Sequence, residues 1–198
     1  MERGHAEALM PMVETLIGEV PGGFSTLDRI VTTVGPGSFT GLRVAIAAAR
    51  SFGLALRRPV VGVSTLTAYA APLISAGSRT SIAAAVDARH GSVFFHAFWL
   101  DGRTSFGPAL VSAEEAARRL AGNSAPPRLV GNGAEIVAAA ARDLGIDTVV
   151  QAREAAPDIV WVARLGAAAD PAFAPARPLY LRAASAVPQT GGRIARQG

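Results

Sequence analysis

Short β-branched runs alternate along this chain with long apolar stretches of helical spacing, most clearly over residues 30–66. Ile30 to Val34 is a run of the kind that forms a buried strand. Gly35-Pro36-Gly37 breaks it, because Gly accepts backbone angles closed to other residues and Pro has no N–H for a ladder. Ser38 or Thr40 is placed to cap a helix by offering an oxygen to a free backbone N–H. The helix is predicted to run to Leu56, where Arg57-Arg58-Pro59 stops it and Val60 to Val63 forms the next strand. Ahead of this unit, residues 4–20 set Ala6, Leu9, Met10, Val13, Ile17 and Val20 at helical spacing, with Ala8, Met12 and Leu16 as a second apolar row. Pro11 falls inside that pattern at a cost of roughly 3 kcal/mol, so the helix either kinks there or becomes regular near it. After Val63 a third helix, STLTAYAAPLI, is capped by Ser64 or Thr65, and residues 75–80 read as a linker between lobes.

The second half has a different rhythm. Strands are predicted at Ser81 to Asp87, at Ser92 to Leu100, apolar on both faces, and at Phe106 to Val111, with Asp101-Gly102 as a hairpin signal. Ser112 to Glu115 reads as a capping box, in which the Ser oxygen meets the N–H of residue 115 and Glu115 answers it, opening a helix to Leu120. Arg128 to Val130 and Thr148 to Val150 are strands, Asn132 to Leu144 is a helix, and Pro157 to Ala169 is a helix with Pro in its permissive first turn. Residues 178–182 form a closing extended segment, and from Ala183 the chain is rich in Pro, Gly and Arg with no acid, which reads as a disordered tail. The domain expectation is an N-terminal lobe at 1–76 (αβαβα), a C-terminal lobe at 77–182 (βββαβαβα) whose last segment packs back, and a tail at 183–198.

Within the long helix the only charges are Arg43, Arg50 and Arg57, seven apart and on one stripe. A helix apolar nearly all round is buried on two sides. One side faces its own sheet, and small residues at Gly41, Ala45, Ala48 and Ala49 let a second helix approach the other. Two readings follow, an ordinary central helix of an α/β domain and a subunit interface.

Composition narrows the chemistry. The 198 residues are enough for one large or two small domains with an ample core. Apolar stretches are interrupted too often for a span of about 20 residues, and no basic-then-apolar leader opens the sequence. No Cys is present, which excludes disulfides, thiol catalysis and Cys-bound zinc and is compatible with a reducing cytoplasm. All 19 basic residues are Arg, so a phosphate-loop Lys, a Schiff base and a Lys general base are unavailable. The net charge of +4 is a weak argument for nucleic acid by itself.

The blocks GPGSFTGLRVAIAAARSFGLAL and PVVGVSTLTAYA strongly resemble the TsaB (YeaZ) family, the dimerisation subunit for threonylcarbamoyladenosine synthesis on tRNA. The likeness extends to RGHAEALMPMVETL, AAAVDARHGSVFFHAF and the closing PLYLR. It implies an α/β chain with the two-lobed fold of actin, Hsp70 and sugar kinases. Each lobe of that fold opens with a three-strand meander, which the first half here lacks, so the first lobe is expected to be incomplete and Met1 to be a late start or a truncation. Ile30 to Val34 would then present an unpaired edge. The family also implies work beside a TsaD-type catalytic subunit, with a TsaE-type ATPase in the complex, a homodimer when alone, tRNA contacted indirectly at the adenosine 3′ to certain anticodons, no membrane, and a cytoplasmic location.

Candidate sites are few. Gly35, Gly37, Ser38 and Thr40 form a possible anion cradle at a helix start, weighed against a plain tight turn. Asp87, His90 and Ser92 lie too close on one hairpin for a relay. Relatives of the TsaD type place two His four apart where this chain has Thr65 and Tyr69, and hydroxyls are poor ligands for iron or zinc beside imidazole. The remaining His, at 5, 90 and 96, sit on separate elements. No catalytic residue, metal or cofactor is therefore expected. The expected partner surface is Ala8, Leu9, Met12, Val13, Leu16, Gly41, Ala45, Ala48, Ala49 and Phe52. The functional expectation is a non-catalytic scaffold for the TsaD-type enzyme. The alternatives are an actin-like ATPase or sugar kinase shortened at its start, and a glycoprotein-peptidase-like hydrolase.

Overall fold

The structure is a computed structural model that describes residues 5–181, with side chains from Glu7 onward. Helix α1 (His5–Gly18) carries Pro11 inside it. A short 3-10 turn at Gly23–Thr26 leads to strand β1 (Ile30–Gly35), helix α2 (Phe39–Leu56) and strand β2 (Val60–Ser64). β1 and β2 pair in parallel with Ile30 opposite Val60, so α2 is the crossover of a βαβ unit. By length and composition alone α2 suffices to cross a membrane, against the expectation above, but its place between two hydrogen-bonded strands gives it a different partner. Among the described residues no further named strand joins this sheet, although the return segment bridges β2 at Val61 and Pro175 and reaches the end of β1 through Leu179.

Helix α3 (Thr65–Ser75) joins the two halves. Strands β3 (Ile82–Asp87), β4 (Ser92–Phe98) and β5 (Thr104–Ser112), helix α4 (Ala113–Arg118), strand β6 (Arg128–Val130), helix α5 (Ala134–Asp143), strand β7 (Val149–Ala152) and helix α6 (Ile159–Ala168) follow. The second sheet has the order β5-β4-β3-β6-β7, antiparallel through β3, β4 and β5 and parallel from β3 to β7. Its two faces are covered separately. Ala83, Phe95, Leu129 and Val137 pack with Ala116 and Leu120 on the side of α4 and α5. Leu66, Tyr69 and Ala70 of α3 pack on Ile82, Ala84, Val86 and Val130 on the other. Ala68 of the same helix meets Val63 and Val162, so α3 is the shared wall of both lobes.

Three sequence expectations need correction. The sequence pattern puts the closing helix in the second lobe, yet α6 packs on β1 and β2, with Val162 and Leu165 beside Val31 and Val63. Its Gly166 lies against Val31, where an added Cβ would stand 2.3 Å from a Val methyl, and Arg29 donates to the carbonyls of Gly166 and Ala169 at 2.8 and 2.9 Å. The return to the first lobe thus begins with α6 rather than after it, and continues as the Leu179 N–H donates to the Val34 carbonyl at 2.7 Å. Pro157 is not in the first turn of that helix: Asp158 is the N-cap, accepting from the Val160 N–H at 2.8 Å. The capping box is only half formed. Ser112 Oγ accepts from Glu115 N at 3.1 Å, but the Glu115 carboxylate pairs with Arg119 one turn on, and Ser112 remains opposite Ser92 in the β4–β5 ladder.

A cleft between the lobes and an exposed helix pair

The glycine turn between β1 and α2 closes one end of a cleft of about 930 Å³ between the lobes. Gly35 has φ +109 and a Cβ there would meet Leu42 at 3.0 Å, so only Gly fits the turn. Of the two candidate caps the structure uses Ser38, whose Oγ accepts from Gly41 N at 3.3 Å, while Thr40 is exposed. Of the four anion candidates, Gly37 and Ser38 line the cleft mouth and Gly35 is buried beneath it. Opposite them stand Asp87, Arg89 and Asn132 from the second lobe. Asp87 Oδ1 accepts from Arg89 N at 2.7 Å, and Arg89, His90 and Gly91 all take positive φ in the β3–β4 turn. No hydrogen bond links Asp87, His90 and Ser92 to one another among the described residues, and His90 is exposed.

Thr65 and Tyr69 are both buried on α3 at the cleft floor. The Tyr69 hydroxyl donates to the Glu154 carbonyl at 2.8 Å, and burial, reinforced by the Glu154 charge, pushes its pKa up to about 12. A phenol so held is neither a base nor an anionic ligand near neutral pH. Among the described residues no three His, Asp or Glu side chains gather to hold a metal.

The proposed partner surface separates into two kinds of residue. Helix α1 has no buried side chain among those described: Met12 is 50% and Leu16 58% exposed, with Ala8, Leu9 and Val13 half-buried. On α2 the row Ile46, Ala49 and Gly53 is buried, Gly53 so closely that a Cβ would fall 2.1 Å from Val60. Ala49 therefore faces its own sheet and leaves the partner set. Gly41, Ala45, Ala48 and Phe52 remain half-exposed, and Phe52 stacks on Phe24 at 5.5 Å. Sequence reasoning missed Arg43, Phe39 and Tyr180 at the cleft mouth. The spacing of four between Phe39 and Arg43 was a usable signal, whereas Tyr180 is brought there only by the fold. The tail arginines Arg182, Arg193 and Arg196 and the His5 side chain lie outside the described residues.

Two lobes sharing a central helix, with a cleft under a glycine turn, define a protein of the actin-like class. The family model described as TsaD: tRNA N6-adenosine threonylcarbamoyltransferase matches residues 1–150. The chain belongs to that family, with the members called TsaB or YeaZ. It is 32% identical over 99 residues to the tRNA threonylcarbamoyladenosine biosynthesis protein TsaB of Escherichia coli (strain K12), covering 50% of this chain and 43% of the relative. The TsaB of Haemophilus influenzae is 32% identical over 94 residues, 48% of this chain and 40% of that one. The chain thus spans about two fifths of the curated relatives it matches. In structure it is similar to YeaZ from Pseudomonas aeruginosa, with TM-score 0.69 and 29% identity over 90% of this chain and 85% of that chain.

Proposed function

We propose that this chain is a non-catalytic, cytoplasmic subunit that docks α1 and α2 on a TsaD-type threonylcarbamoyltransferase and so supports transfer of a threonylcarbamoyl group to adenosine in tRNA. The observation that carries this reading is α1, a 14-residue helix with apolar rows on two sides and no buried side chain among those described. An amphipathic helix gains most of its stability from packing an apolar face. Among the described residues Met12 and Leu16 stay at least half exposed, and α2 beside them buries only Ile46, Ala49 and Gly53 of its 18 residues. A partner presenting a similar helix pair would cover both. The family relation supports a TsaD-type partner, and a four-helix contact between like lobes is the simplest arrangement. The same face would serve a homodimer in the partner's absence, and a TsaE-type ATPase would complete the assembly. The hydroxyls at Thr65 and Tyr69, one of them locked on a backbone carbonyl, support a role without metal chemistry.

The test is co-purification with the TsaD-type protein by size exclusion. Leu16→Glu places a charge on an exposed position, so the free chain should melt as the wild type does while the complex is lost. A normal complex with folded Leu16→Glu would remove this face from the docking surface.

A further inference from the structure

Phe39, Arg43 and Tyr180 form a locked, exposed cluster at the mouth of the cleft. Phe39 and Tyr180 are each 55% exposed, with ring centroids 5.9 Å apart. The Arg43 guanidinium lies 3.7 Å over the Phe39 ring, and its Nε donates to the Tyr180 hydroxyl at 3.3 Å. Residues from the start of α2 and from the closing segment thereby fix one another, and an exposed Tyr or Arg held this way has already lost the side-chain entropy that a ligand would otherwise cost it. Among the described residues Arg43 has no carboxylate partner. Behind the cluster the cleft reaches Thr65, 9% exposed, whose hydroxyl makes no hydrogen bond among the described residues.

Two half-exposed rings, a planar cation with no carboxylate partner over one of them and a free hydroxyl within are the groups that receive an unstacked nucleobase and its phosphate. An apolar protein partner would leave the Arg43 charge to be desolvated without a counter-ion. A phosphate supplies that counter-ion. The chain continues from Leu181 with Arg182, Arg193 and Arg196 and no acidic side chain, which adds positive charge to the same segment.

We propose that this cluster contacts single-stranded RNA, with one base stacked on the Phe39 and Tyr180 rings and the adjoining phosphate on Arg43. The inference rests on the tRNA reading above and goes beyond it, since the docking helices need no direct RNA contact. The experiment measures fluorescence anisotropy of a labelled tRNA anticodon stem-loop with the full chain, alone and with the TsaD-type partner, across a salt series. Tyr180→Ala should weaken binding about tenfold and Tyr180→Phe should not, because stacking needs the ring and not the hydroxyl. Arg43→Gln should lower the salt slope by about one phosphate contact. Melting curves confirm that each variant is folded. Wild-type affinity and slope in both Tyr180→Ala and Arg43→Gln would overturn the proposal, as would the absence of any binding by the wild type. Variants that keep RNA affinity but lose the protein partner would overturn it too, making the cluster a protein contact. If RNA binding is unaffected while transfer to tRNA still requires this chain, the RNA contact fails and the docking reading stands. If RNA binding depends on Tyr180 while no complex forms, the docking reading fails and the RNA contact stands.

Discussion

At the residue scale, His96 ties the stability of the fold to pH. Its ring is buried on β4 against Phe98 at 4.0 Å, with Nε2 2.9 Å from Thr104 Oγ1 and Nδ1 unpartnered. Burial pushes its pKa down to about 4, so the folded chain keeps it neutral where the unfolded chain takes a proton near pH 6.5. The unfolded state binds more protons across that window, and stability therefore falls as pH drops from 6.5 towards 4 and is undiminished by this group above 6.5. The whole window is worth about 3 kcal/mol. Urea unfolding at pH 7 and at pH 4.5 should show the wild type losing about 2 kcal/mol more than His96→Leu between the two. Equal losses would mean that the imidazole is solvated in the folded chain. The position was read from the sequence only as one of three scattered His, because nothing in a strand pattern says which His meets a hydroxyl eight residues on.

At the scale of elements, α2 shows what periodicity can and cannot supply. Its start, its stop and its place between parallel strands were legible, since the period changes from two to 3.6 at a Gly-Pro-Gly turn and back at Arg-Arg-Pro. Which row faces inward was not legible, because Ala, Gly and Val surround the axis on nearly every side. The structure buries Ala49 and leaves Ala45 half-exposed, and the two positions should now behave differently. Ala49→Glu forces a carboxylate against β1 and should cost on the order of 3 kcal/mol of stability. Ala45→Glu should cost no more than about 1 kcal/mol and act on complex formation instead. Thermal melts of both variants, with size exclusion beside the partner, separate the effects. Equal melting temperatures would place Ala49 on the outer row after all.

For the molecule as a whole, the second lobe was legible almost strand by strand, because its hairpins are local and its turns carry Asp-Gly and Ser-x-x-Glu signals. The assignment of α6 was not. Its apolar face names no sheet, and the contact that decides, Gly166 against Val31, joins positions 135 residues apart. The cleft mouth failed for the same reason, since Arg43 and Tyr180 meet across 137 residues. The two hydroxyls four apart at Thr65 and Tyr69 do share the cleft wall of α3, as helical spacing requires.

The central claim is that this chain supports transfer without performing it. The direct measurement is incorporation of labelled threonine into tRNA by the purified chain, by the TsaD-type partner and by both together with the other proteins that the transfer needs, with metal content of this chain read by plasma emission. The account predicts no transfer and no stoichiometric iron or zinc with this chain alone, and transfer that depends on it when the partner is present. Threonylcarbamoyl transfer by this chain in the partner's absence would contradict the account and make the cleft, not the helix pair, its working surface.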